Sequence, residues 1–267
     1  MRSWVVIALA AAVCVAGCGG GVLKNGGGVL KTQYEYEEEL YLALDGSATL
    51  NVSASVPALV ALRGVDLNVS PRARFDRDRV RAFFQGPGAV VTAVSSSRRH
   101  GRRFVHVSID VADVRTLQRL APFAWSSYRF DRDGDVYEFR QAVGAPAGKP
   151  VGDVGWDGSE LVAFRLHLPS RIPYHNAPSR KVERGNILEW EQMLIDRLQG
   201  RSIDTTSDDG LIHVQMEAQS ILARTLLLFG STIVAAFLTF AAVILWVARR
   251  GRDSDISRQR AVGSRQL

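Results

Sequence analysis

From Thr225 to Ala248 the chain reads TLLLFGSTIVAAFLTFAAVILWVA, twenty-four residues without a charge. As a helix rising about 1.5 Å per residue, this run reaches about 36 Å, enough for the ~30 Å hydrocarbon core of a bilayer with some tilt. Residues 225–248 are therefore predicted to form a transmembrane helix. Trp246 falls near one end, where indole rings favour the membrane interface. Residues 249–267 carry six arginines against Asp253 and Asp255, whereas Arg224 stands alone in front of the run. Positive flanks stay inside, so this basic tail is expected in the cytoplasm and the rest of the mature chain outside. Ser231, Ala235 and Thr239 form a stripe of small residues along the helix, a pattern that lets membrane helices pack closely.

The other end is also apolar. Arg2 is followed by a short uncharged stretch from Trp4 to Gly17, too short for a comfortable span and built like a secretory signal. It closes on Val15-Ala16-Gly17-Cys18, which resembles the lipobox of bacterial lipoproteins. The resemblance implies cleavage after residue 17 and a diacylglycerol on the Cys18 thiol. Cys14, the second cysteine of the chain, lies in the segment that would be removed, so no disulfide is expected. Residues 18–32 then form a tether: Gly-Gly-Gly-Val-Leu-Lys occurs twice, ending at Lys24 and at Lys31, and glycine-rich sequence behaves as flexible coil.

These ends account for the net charge of +6. Arg2, Arg224 and the six tail arginines lie outside residues 3–223, as do Asp253 and Asp255, and what remains is electrically balanced. The high isoelectric point is thus no footprint of nucleic-acid binding, and no nucleic-acid partner is expected.

Residues 33–218 read as an exported α+β domain. Asp-Gly pairs at 45–46, 133–134, 157–158 and 209–210 sit between β-rich runs, and that dipeptide suits tight hairpin turns. The hairpins pair 33–44 with 48–56, 89–98 with 103–111, and 124–131 with 135–143. Strands near 160–168, 187–194 and 211–218 follow. A helix over 76–85 has Asp76 as its N-cap, Val80, Phe83 and Phe84 inward, and Gly86-Pro87 as its stop. A second, over 113–121, has Val114, Leu117 and Leu120 inward and Pro122 as its stop. The order predicts an antiparallel sheet of hairpins with two helices on one face.

Catalytic and metal patterns do not complete themselves. Ser108, His106 and Asp110 share one face of a strand, but a triad needs its histidine between serine and acid, and here the serine is central. Asp131-Arg132-Asp133-Gly134-Asp135 opens like a calcium loop, yet Val136 and Ala142 occupy the positions that need glycine and glutamate. The histidines at 100, 106, 167, 175 and 213 have no zinc spacing. Gly152, Gly155 and Gly158 precede no helix, so they make no nucleotide loop. No enzyme, cofactor or metal is expected. Two basic clusters, Arg98-Arg99-Arg102-Arg103 and Arg72 to Arg81, suit either solvated surface or contact with anionic headgroups. The aromatics Trp125, Tyr128, Phe130, Tyr137 and Phe139 are expected to offer an apolar face to lipid.

Tyr174-His175-Asn176-Ala177-Pro178 and Gly185-Asn186-Ile187-Leu188-Glu189-Trp190-Glu191 lead into a hairpin, the membrane helix and the basic tail. With Cys18 and Asp45-Gly46-Ser47, this layout resembles the LppM-like bacterial lipoproteins. The resemblance implies the architecture and, at most, a lipid- or glycolipid-binding role; the Gly- and Pro-rich stretch 144–158 departs from it. On its own spacing, Trp190 alternates with Leu188 and Leu194 and reads as core. The expected function is a membrane-anchored envelope lipoprotein that binds lipid, with a protein partner or self-association as the alternative and an exported hydrolase behind both.

Overall fold

The computed structural model describes residues 34–263 apart from 184, 208–209 and 220. The signal 1–17, Cys18, the tether 18–32 and residues 264–267 lie outside the described residues.

The domain is α+β and contains the expected hairpins. β1 (Tyr34–Leu42) turns at Asp45-Gly46 into β2 (Ala48–Ser55). Helices α1 (Val56–Arg63) and α2 (Arg77–Phe84) follow, then the hairpin β3 (Ala89–Arg99) and β4 (Arg102–Val111). Two 3-10 turns, Val114–Arg119 and Ala121–Phe123, lead to β5 (Ser126–Asp133) and β6 (Val136–Val143). After them come β7 (Leu161–His167), β8 (Tyr174–His175), β9 (Ile187–Met193), α3 (Leu194–Leu198), β10 (Leu211–Glu217) and α4 (Ile221–Gly263).

The strands form two sheets rather than one. Six are ordered β3-β4-β2-β1-β7-β9, and four are ordered β5-β6-β10-β8. The pairing of β1 with β7 is parallel, with Tyr36 opposite Val162 and Tyr41 opposite His167; the hairpins that precede β7 are antiparallel. The sheets meet face to face over a single core, with Leu40, Leu50, Phe164 and Trp190 from one and Phe139 and Ile212 from the other around one small void.

Two local differences from the sequence have simple causes. The strand predicted to reach residue 56 stops at Ser55, whose Oγ accepts the Ala58 N–H and caps α1. The helix Val-Pro-Ala-Leu-Val-Ala-Leu-Arg is buried at every residue, so it shows no amphipathic stripe to be read. The 113–121 helix is a 3-10 turn instead. Its buried residues Val114, Leu117 and Leu120 recur every three positions, the period of a 3-10 turn.

The stretch 144–158 is a strap laid over α1. The Ala147 N–H donates to the Leu62 carbonyl and the Lys149 N–H to the Val60 carbonyl, each at 3.1 Å. Arg102 holds its far end: the guanidinium pairs with Glu35 at 2.9 Å and donates to the Gly155 carbonyl at 2.8 Å. Glu160 lies 3.9 Å from the same guanidinium and accepts the Gly158 N–H.

Candidate functional site

The void between the two sheets has no room for a lipid. The void between the sheets measures about 10 Å³, roughly the space of one water. Trp125, Tyr128, Phe130 and Phe139, expected to face lipid, are all buried in the core, and Tyr137 is half-buried with its ring stacked on Phe130. A six-stranded sheet packed on a second sheet has far more surface to cover than one helix layer would, and these rings cover it. Trp190 is core as expected.

The core also holds charge. Arg63 pairs with Glu38, donates to Tyr36 Oη from Nε at 2.9 Å, and stacks 3.2 Å from the centre of the Trp125 ring. Burial pushes its guanidinium down to about 10. Arg197, fully buried, lies 5.7 Å from the same indole and donates to the Gly144 carbonyl at 2.9 Å. These groups tie β1, α1, α3 and the start of the strap together.

The outer face of the larger sheet is a polar ladder in which the Ser-His-Asp set disperses. Ser108 donates to Asn51 at 2.5 Å, and Asp110 accepts from Thr49 at 3.1 Å. His106 lies between Ser53 Oγ on Nδ1 (2.6 Å) and Ser97 Oγ on Nε2 (2.9 Å). Burial lowers its pKa, and the charge of Arg99 adds to the effect. With two serines and no acid on its nitrogens, this imidazole lacks the orienting carboxylate of a triad. His167 and His213 pair instead with Glu39 (2.7 Å) and Glu138 (2.6 Å). The backbone N–H of Ala177 donates to His175 Nδ1, and His100 sits in the β3–β4 turn at φ 46°. Among the described residues, no three His, Cys, Asp or Glu side chains come together as a metal site. Asp133-Gly134 is the expected turn, closed by Arg132 Nε on the Gly134 carbonyl.

An apolar-lined concavity lies at the start of α4. The chain between β7 and β9 folds back beside the start of α4, where the Ile221 N–H donates to the Pro169 carbonyl at 3.1 Å. Two asparagines shape this loop. Asn176, fully buried, donates from Nδ2 to the Leu211 carbonyl (2.5 Å) and accepts the His213 N–H on Oδ1 (3.0 Å). Asn186 takes φ 59° and donates to the Ser170 carbonyl at 2.8 Å. Asparagine tolerates that left-handed backbone while its short amide closes the loop. Between loop and helix lies an open groove of about 500 Å³, lined by Ile172, Val182, Ile221 and Leu228 with Arg171, Asn186 and Thr225. The sequence reading missed it because Ile172 and Val182 belong to no periodic segment; an isolated aliphatic in each of two polar loops was the available signal.

The fold and groove define a class: an α+β domain of two packed sheets joined to one helix, Thr225–Val247, long and apolar enough to cross a membrane. No protein-family model and no curated protein matches the chain. Among solved structures it is similar to the NMR structure of the folded domain of the Mycobacterium tuberculosis LppM protein, at 12% identity and a TM-score of 0.38, over 74% of this chain and 99% of that one.

Proposed function

We propose that this chain is an envelope lipoprotein, acylated at Cys18, whose domain stands outside the cytoplasmic membrane and holds a membrane lipid in the groove at the root of α4. The groove carries the reading. Its wall is the same helix that continues as the apolar span, so Thr225 and Leu228 lie where headgroup gives way to hydrocarbon. A lipid can enter sideways, with its chain against Ile172, Val182 and Leu228 and its polar part near Arg171 and Asn186. The domain acts by binding rather than by catalysis, in keeping with the dispersed polar groups on its sheet face. The six tail arginines set the cytoplasmic side.

Full-length protein in nanodiscs with a diazirine-bearing phospholipid tests the groove. Label is expected on the 172–183 loop peptide, which a passive span would not mark, and Val182→Asp should cut it about fivefold or more. Label confined to α4 overturns lipid entry and leaves a protein partner as the occupant. Separately, labelled fatty acid should enter wild type and not Cys18→Ala; equal incorporation removes the lipid anchor.

A further inference from the structure

Two basic clusters that are separate in sequence meet in space. Arg98 Nη2 donates to the Pro71 carbonyl at 3.2 Å, and Arg103 Nη2 donates to the Ala73 carbonyl at 2.8 Å with its guanidinium 6.0 Å from the Phe75 ring centre. The β3–β4 turn and the segment leading into α2 thereby form one surface. Carbonyl partners orient a guanidinium but leave its charge in place.

The neighbouring arginines are already neutralised. Arg79 pairs with Asp66 (3.1 Å) and lies 3.7 Å from Asp76, and Arg102 pairs with Glu35. Arg72, Arg74, Arg77, Arg98, Arg99 and Arg103 have no ion-pair carboxylate among the described residues. All but Arg103, which is half-buried, are exposed. Two carboxylates outside those pairs, Asp78 and Asp153, stand at the same end. A groove of about 360 Å³ runs beside the cluster between Val69–Pro71, His100, Arg103 and Asp153–Gly155.

The topology places this surface at the end of the larger sheet opposite the start of α4. β7 leads to Pro169, the residue bonded to the start of α4, and β1 runs parallel to β7. β4 is antiparallel to β2 and β2 to β1, so β4 begins at the opposite end of the sheet from α4. The ten residues of β4 span about 33 Å, several times the ~8 Å screening length at physiological salt. On the proposed anchoring through α4, headgroups of that membrane would lie beyond the reach of these charges.

We propose that the distal arginine surface binds a polyanion, a flexible chain of repeated phosphate or carboxylate groups held outside the membrane. Arginine forks grip either group bidentately, and six unneutralised guanidiniums beside a groove suit a chain better than a single ion.

The test uses full-length protein in zwitterionic nanodiscs, with fluorescent inorganic polyphosphate and poly-glutamate as probes. Binding of polyphosphate alone assigns phosphate, and binding of both assigns charge density; in either case about 0.3 M salt should weaken it strongly. Arg72→Glu/Arg74→Glu/Arg77→Glu should weaken it at least about tenfold, since it removes three attractions and adds three repulsions. Glutamate in the first turn of α2 favours the helix, and unchanged tryptophan emission will confirm the fold. Arg129→Glu, exposed on the outer face of the smaller sheet, should leave binding unaltered. Failure of both polymers to bind at about 20 mM salt, or equal binding by the triple variant, overturns the proposal. So does loss in the triple variant of binding to anionic vesicles without any polymer binding.

Discussion

Replacing Arg63 by methionine should destabilise the domain by about 3–5 kcal/mol, because it leaves the Glu38 carboxylate buried without its cation. Glu38 is 4% exposed and Arg63 5%, so water cannot take over the missing contact. Tyr36 Oη, which accepts from Arg63 Nε, loses that donor as well. The pair as a whole contributes much less than the loss of one member suggests, since burying both charges costs nearly what their attraction returns. Arg63→Met/Glu38→Gln should therefore recover more than half of the loss. Urea titration of the detergent-solubilised chain, followed by tryptophan emission, reads both variants, and Trp125 under the guanidinium makes the signal local. A cost under about 1 kcal/mol for Arg63→Met would show that the pair is hydrated in solution.

Gly148→Ala is expected to lift the strap from α1 and cost about 1–3 kcal/mol, the usual penalty for forcing extra volume into a packed site. A Cβ at Gly148 would run into the carbonyl oxygens of Ala61 and Val60, which are backbone and cannot swing aside. The flanking bonds from Ala147 and Lys149 to α1 would open with it. Gly152→Ala is the control. It has open space around the added methyl but a φ of 68°, so it bears only the roughly 1–2 kcal/mol of a left-handed residue. Limited proteolysis separates the two: new cleavage within 144–158 is expected for Gly148→Ala and not for Gly152→Ala. Equal protection of both would mean that the strap is not held by this close approach.

Much of the architecture is local and was legible from the residues. An uncharged run of twenty-four residues reads as a helix able to cross a membrane, and Thr225–Val247 is helical and apolar as expected. Asp-Gly turns and period-two alternation place two of the hairpins, alternation places the third around His100-Gly101, and Asp76 marks the start of α2 through its own cap bond to the Arg79 N–H at 2.9 Å. Each of these depends on neighbours a few positions away. Tertiary structure alone decided the parallel pairing of β1 with β7, because register between strands over a hundred residues apart is set by which faces can be buried together, not by either strand's own pattern. It likewise decided that the helix α1 is enclosed on every side, Arg63 included, and that the aromatic hairpin builds a second sheet with its rings in the core. The functional candidates belong to this second kind. A groove made of a loop and a helix root, and one arginine surface made of two clusters, exist only once chain segments with no local relation are brought into contact, since shape and summed charge are properties of the assembled surface.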